Sequence, residues 1–302
     1  GMGPELWGCI NATIDPNVIE TYAVGIMIMG CDGVSIEENI ISAPDTTTPS
    51  DSGIHIQNSS DIAVKGNTVS NFTAGPKEYY NNGTTGAGIR IISSNDNVTV
   101  EGNQLSNNTV GVLVTGASGS PEIHRNNIED NEVFGVLNCA SWVGKDRTYT
   151  PASVTIDATL NWWGHASGPS SSPTVYDPVT GVPADGSGDA VSANVHFDPW
   201  LKGLFPSAEA ALGIVDDLKD ELAALDAEGF NNAKASAGQQ KALLNKVDAV
   251  FAQIEAGAYR GAINKLQNDV TDKIEKWVVE AYWSELTGKV EAVIAILEDL
   301  LE

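Results

Sequence analysis

A chain of 302 residues, 42% of them hydrophobic, is long enough for one large or two ordinary domains with real cores. Its 40 acidic against 16 basic residues leave a net charge of -24, which repels phosphate backbones and anionic headgroups and argues against nucleic acid as a partner. No apolar run reaches the roughly 18 residues of a membrane span, and the opening GMGPELWGC has neither the basic nor the apolar region of a leader, Gly1 ahead of Met2 suggesting an excerpt of a longer protein.

Cys9, Cys31 and Cys139 make three, so a full disulfide framework is excluded, at least one thiol is unpaired within the chain, and no CxxC or Cys/His spacing marks a zinc site. Asn-x-Ser/Thr triplets begin at Asn11, Asn58, Asn71, Asn82, Asn97 and Asn107. They are acceptors for glycan and tilt the location outward, although a segment rich in Asn, Ser and Thr also makes such triplets by chance.

The first two hundred residues repeat. GVSIEENIIS (33–42), DIAVKGNTVS (61–70), NVTVEGNQLS (97–106), PEIHRNNIED (121–130) and SVTIDATLNWWG (153–164) share the frame apolar, x, apolar, x, x, Asn, x, apolar. Ile36, Val64, Val100, Ile123 and Ile156 align, followed three residues later by Asn39, Asn67, Asn103 and Asn126, then Thr159. A short strand precedes each copy, starting at Gly25, Gly53, Gly88, Gly111 and Gly135, which lie 28, 35, 23 and 24 residues apart. Period-two alternation in both blocks predicts two strands per unit, each unit one rung of a parallel β-solenoid. Ile26, Ile28, Ile54, Ile56, Ile89, Ile91, Val112 and Val114 then point inward in columns, and the recurrent Asn forms a ladder at the corner between strands.

These copies resemble the right-handed parallel β-helix family with short β-helix repeats, seen in pectate-lyase-like proteins and periplasmic copper-pathway proteins. NWWGHASGPSSSP (161–173) and GSGDAVSANVHFDPWL (186–201) resemble the C-terminal end of archaeal and bacterial cell-surface β-helix proteins, which more often have Asp where His165 stands. A solenoid's last rung exposes unpaired backbone and the end of its apolar column, so it needs a cover. Burying one Trp removes about 150–250 Å² from water, roughly 4–6 kcal/mol as an upper estimate. Trp162, Trp163 and Trp200 therefore read first as cap, with Trp162 or Trp163 left available to stack on a sugar.

The outward positions read Met27, His55, Arg90, Leu113 and Leu137 on the first strand and Glu37, Lys65, Glu101, His124 and Asp157 on the second. The mixed signs suit cross-strand pairing on a solvated face. No catalytic residue is assigned. Lyase chemistry would draw on Lys65 or Arg90 as base, and hydrolase chemistry on Glu101 with Asp157, two rungs and roughly 9.6 Å apart by strand spacing. His165 and His196 are weighed as a metal pair near the cap, and Asp177, Asp185, Asp189 and Asp198 are the acids that would hold calcium, the one cofactor considered; otherwise none is expected. The insertion FTAGPKEYYNNGTTGAG (72–88) offers Tyr79 and Tyr80 as binding aromatics.

After DPWLKGLFPSA the period becomes helical. Leu212, Val215, Leu222 and Leu225 share a face, as do Leu243, Val247, Val250, Phe251 and Ile254, then Ile263, Leu266, Val270, Ile274 and Trp277, with Ser207 as N-cap. KVEAVIAILEDLLE (289–302) adds an amphipathic helix. IEAGAYRGAINKLQNDVTDKIEKWV (254–278) resembles the FIMAH domain, a helical module of secreted bacterial and archaeal surface proteins and polysaccharide-active enzymes.

The expected fold is a mainly β right-handed parallel β-helix over 1–205, capped by about 161–201, then an all-α helical bundle over 206–302, FIMAH-like at about 208–279. The expected function is that of an extracellular surface or matrix protein, structural or adhesive, that binds carbohydrate or other surface proteins or assembles with like subunits into oligomers or filaments through the solenoid ends and the bundle. The alternative is a carbohydrate-active β-helix enzyme, a polysaccharide lyase, hydrolase or epimerase.

Overall fold

Each of the first five turns of the N-terminal part lays down three strands, one more than the alternation predicts. In the computed structural model, residues 2–75, 85–116, 119–143 and 147–301 are described, and the chain divides into Gly1–Trp200 and Leu201–Glu302. In the first unit, one parallel sheet stacks Glu5–Trp7, Val24–Met29, Ser52–Gln57, Ala87–Ile92, Val110–Thr115 and Phe134–Val143. A second stacks Ile10–Ile14, Asp32–Glu37, Ser60–Lys65, Asp96–Glu101, Glu122–His124, Ile156–Asp157 and Val195–His196. The third, built from three-residue strands, stacks Val18–Glu20, Ile40–Ser42, Thr68–Ser70, Gln104–Ser106 and Asn127–Glu129. The coil Glu5–Glu20 thus precedes the five copies aligned above.

Inward side chains from successive coils sit in register. Ile26, Ile54, Ile89, Val112 and Val136 make one column and Ile28, Ile56, Ile91 and Val114 the next, all buried. The third sheet adds Ile41, Val69, Leu105 and Ile128. Each fully buried Ile or Leu is worth roughly 1.5–3 kcal/mol of transfer free energy. The glycines that open each coil are also stacked: a Cβ on Gly25, Gly53, Gly88 or Gly111 would lie 2.5–2.8 Å from the carbonyl oxygen of the next one. Only glycine permits that approach, which explains its recurrence.

The corner between the second and third sheets carries the asparagine ladder. Backbone N–H groups of Asn17, Asn39, Asn67, Asn103 and Asn126 donate to Oδ1 of Asn39, Asn67, Asn103, Asn126 and Asn161, at 2.9–3.0 Å. Each Nδ2 from Asn39 onward also donates to a carbonyl one coil back, that of Ile14, Ile36, Val64, Val100 and Ile123 in turn. The last rung is Asn161 and not Thr159. The sequence alignment of the final copy is two residues out: Glu122 pairs with Asp157, and His124 lies beside Thr159, its Nδ1 3.0 Å from that residue's carbonyl oxygen.

Leu113 and Leu137, read as outward, are not solvated. Phe134–Val143 turns back antiparallel onto Thr148–Pro151. Leu113 and Leu137 form a second buried cluster with Ala87, Val110 and Cys139, against which Phe134, Trp142 and Tyr149 pack.

At the C-terminal end, Val191 bridges to Val136 and Val195–His196 continues the second sheet, a partial further coil. The insertion between Trp163 and Val191 closes on itself through Pro169–Ser170 against Gly188–Ala190. Trp163 is fully buried in the main core with Ala184, Val191 and Phe197.

The described residues of Leu201–Glu302 form four helices. They are α1 (Ala208–Ala224), α2 (Ser236–Glu255), a third made of α3 (Tyr259–Lys265) and α4 (Thr271–Trp277) joined by a π-helical turn at Leu266–Val270, and α5 (Trp283–Asp299). Ser207 caps α1, its hydroxyl accepting from the Ala210 N–H at 3.0 Å. The α1 stripe buries Ile214, Val215, Leu218 and Leu222. The last helix starts at Trp283, six residues ahead of the predicted boundary, and buries Leu286, Val290, Val293, Ile296 and Leu297. Its Lys289 Nζ pairs with Glu221 Oε1 of α1 at 2.5 Å. No helix among the described residues is long and apolar enough to cross a membrane.

Candidate functional site

The corner between the third sheet and the first is where the coils vary most in length, and four successive ones line a groove of about 380 Å³. Thr46, Thr47 and Pro49 come from the loop after Ile40–Ser42, and Thr73, Ala74 and Gly75 follow Thr68–Ser70. Asn107 and Asn108 follow Gln104–Ser106, Asp130 and Glu132 follow Asn127–Glu129, and Arg147 comes from the hairpin. Because equivalent corners repeat at about 4.8 Å, the groove runs along the stacking axis. Its volume lies in the range of small-molecule sites.

Local hydrogen bonds set its walls. Asp45 accepts from the N–H groups of Thr47 and Thr48 at 2.8 and 2.7 Å and from the Tyr22 hydroxyl at 2.6 Å. These bonds, the Tyr22 hydroxyl first, hold its carboxyl well below the usual range. Thr73 Oγ1 donates to the Thr46 carbonyl at 3.2 Å. Thr109 Oγ1 accepts from the Ala74 N–H at 2.8 Å and lies 3.3 Å from Glu132 Oε2. Arg147 pairs with Glu132 at 2.5 Å. Asn107, Asp130 and Glu132 are exposed, and Asn107 and Asp130 hold left-handed backbone, with φ 56° and 59°. Sequence reasoning missed this groove. Its trace is a second polar column, Asn71, Asn107 and Asp130, four residues beyond ladder positions Asn67, Asn103 and Asn126.

A second ladder supports that corner from inside. Phe72 N–H donates to Asn108 Oδ1 and Asn108 N–H to Asn131 Oδ1, both at 3.1 Å, and Asn131 N–H donates to Asp189 Oδ2 at 3.0 Å.

The catalytic candidates are dispersed. Arg90 lies on the first sheet, 3.6 Å from Asp51, beside His55, which burial and the Arg90 charge push toward its neutral form. Lys65 and Glu101 meet on the second sheet at 3.8 Å, where Glu101 also pairs with Arg125. Asp157 faces Glu122 in register, while Glu101 faces His124, so the proposed carboxylate pair falls in two different columns.

The cap residues have local partners. Asp177 is fully engaged: its oxygens accept from the N–H groups of Val179, Thr180, Phe197 and Asp198 and lie 2.9–3.0 Å from His196 Nδ1. Burial opposes its ionisation, but the bonds from His196 and the backbone outweigh it and keep the carboxyl low; in return, the bond to Asp177 raises His196. Asp189 ends the second ladder. Asp177, Asp185, Asp189 and Asp198 do not converge, and among the described residues no group of three His, Cys, Asp or Glu side chains stands within reach of one metal ion. His165 is exposed and turned onto Ser167, its Nδ1 2.8 Å from Oγ, while His196 is held by Asp177.

Of the aromatic candidates, Trp163 has no exposed surface and cannot stack on a ligand. Trp162 is half-buried, its Nε1 donating to Glu129 at 3.2 Å. Tyr79, Tyr80 and Asn82 lie outside the described residues. The other triplet asparagines, Asn11, Asn58, Asn71, Asn97 and Asn107, all have positive φ, between 48° and 69°. Asparagine tolerates this region, which suits it to these turns.

Residues 5–142 match the family model described as a right handed beta helix region. The match covers less than half of the chain. No curated protein and no solved structure matches it.

Proposed function

We propose that the chain is a non-catalytic extracellular surface or matrix protein that binds neutral carbohydrate in the groove between Thr46 and Arg147. The observation that carries this reading is the lining: three threonine hydroxyls, an exposed asparagine amide, two carboxylates and one guanidinium, spread along a groove that crosses four coils. A saccharide presents many hydroxyls and little charge, which suits such a mixed set of donors and acceptors. An anionic polymer would meet Asp130 and Glu132 on a chain of net charge -24. The resemblance of 208–279 to FIMAH modules supports a role outside the cell.

Titration calorimetry against neutral oligosaccharides tests this. Asp130→Ala and Asn107→Ala are each expected to weaken binding about tenfold, or about 1.4 kcal/mol, while Lys65→Ala on the second sheet leaves it unchanged. Binding by no neutral glycan, or equal loss in all three variants, overturns the reading.

Hydrolysis is the second reading, favoured by the presence of both Asp130 and Glu132 in one groove. Release of reducing ends that disappears in Asp130→Asn would establish it. Lys65 and Arg90, the bases expected of a lyase, both stand outside the groove, paired with acids.

A further inference from the structure

The corner between the first and second sheets brings two of the three cysteines together. Trp7 pairs with Met29 and Ile10 with Asp32, so Cys9 and Cys31, 22 residues apart, occupy the same position in adjacent coils. Coil spacing of about 4.8 Å lies inside the roughly 4.4–6.8 Å between Cα atoms that a disulfide accepts. The Cys9 N–H donates to Cys31 Sγ at 3.3 Å, which seats that sulfur against the Cys9 backbone. Cys9 Sγ contacts the Trp7 carbonyl at 3.8 Å and Cys31 Sγ the Leu6 carbonyl at 3.4 Å, so both sulfurs keep to one corner.

The fold does not require sulfur there. In the next two coils the same acceptor position is filled by Ser59, whose hydroxyl accepts from the Cys31 N–H at 3.2 Å, and Asn95, whose amide oxygen accepts from the Ser59 N–H at 2.9 Å. Two successive cysteines where Ser and Asn serve the backbone equally well point to chemistry between the thiols. Trp7 and Ile10, on either side of Cys9, are 60% and 72% exposed, so this corner is open to a small reagent.

We propose that Cys9 and Cys31 are a redox pair whose disulfide staples the first coil to the second. Cys9, half-buried, is the entry point and Cys31, buried, the resolving thiol. The Cys9 thiolate attacks a small-molecule disulfide such as oxidised glutathione, forming a mixed disulfide and releasing one glutathione thiol. The Cys31 thiolate then attacks the Cys9 sulfur and expels the second. Two electrons pass to the small disulfide, and the two protons end on the released thiols. Cys139 does not compete, being fully buried beneath the hairpin, where burial pushes its thiol up to about 12.

The test uses the full chain equilibrated with oxidised glutathione, then unfolded and alkylated. Intact mass is expected to show one alkylated cysteine and the loss of two hydrogens. Residues 1–65 contain no Arg and no Lys before Lys65, and Met27 and Met29 lie between the two cysteines. Trypsin followed by cyanogen bromide should therefore release 3–27 joined to 30–65, separable only by reductant. Reduction should speed hydrogen exchange in 5–20 about tenfold, and Cys9→Ser should abolish that difference. Three alkylated cysteines after oxidation, a persistent glutathione adduct on Cys9, or a linkage through Cys139 overturns the proposal.

Discussion

Asn131 donates both its backbone N–H and its side-chain amide to a single oxygen of Asp189, at 3.0 and 2.7 Å. A carboxylate therefore ends a ladder whose preceding rungs are amides. Burial pushes the Asp189 carboxyl up to about 6, against the bonds from Asn131 and with help from Asp130 and Glu129. The folded chain holds this proton more tightly than the unfolded one, whose value is the ordinary 3.8. The group's contribution to stability is thus greatest below that lower value and falls as pH rises toward the upper one. Asp189→Asn should remove this slope and stabilise the protein at neutral pH by roughly 1–3 kcal/mol. Urea unfolding of both proteins at acid and neutral pH checks it; parallel pH profiles would refute it.

The ladder itself should be costly to break in mid-stack. Asn103 Oδ1 accepts from the backbone and amide of Asn67, and its own amide reaches the Val64 carbonyl and Asn126. Asn103→Ala strands several buried groups and should cost about 3–5 kcal/mol. Gln104→Ala, exposed on the adjoining strand, should stay within about 0.5 kcal/mol of the parent. Hydrogen exchange across Asp96–Ser106 reads the difference, and equal protection in both variants would count against the ladder's role.

The neighbouring tryptophans should separate sharply. Trp163→Ala empties a fully buried site and should cost about 3–5 kcal/mol. Trp162→Ala, at a half-buried position, should cost about 1 kcal/mol. Trp163→Phe should recover part of the loss, since the Trp163 indole N–H has no hydrogen-bond partner among the described residues to give up. Denaturation midpoints for the three variants decide this, and the reverse ranking would place the cap's anchor at Trp162.

The solenoid was legible because stacking forces every coil to repeat the same inward positions, so Ile26 and Ile54 or Asn67 and Asn103 had to align. The third sheet was hidden by its brevity: a three-residue strand with one inward side chain, such as Ile41 or Val69, shows no alternation. The last copy misled because Ile156 and Ala158 are both buried, leaving two registers with equally apolar centres. The groove was unreadable for a different reason. Its walls come from turns of unequal length: Asp130 keeps its offset from the ladder, but Thr46 and Arg147 sit in loops of their own, and proximity there depends on how coils stack. The cover over Leu113 was missed because a strand's outer face says nothing of a later hairpin that folds across it.

The glycine column and the asparagine ladder treat every coil alike: each turn offers its neighbour the same contacts it receives. A whole turn could therefore be lost or duplicated without leaving a broken bond at the seam, while the corners absorb any mismatch in length. Such a chain can grow or shorten by complete turns, and a surface assembled at one corner can be lengthened, or given a new lining, while the interior keeps its pattern.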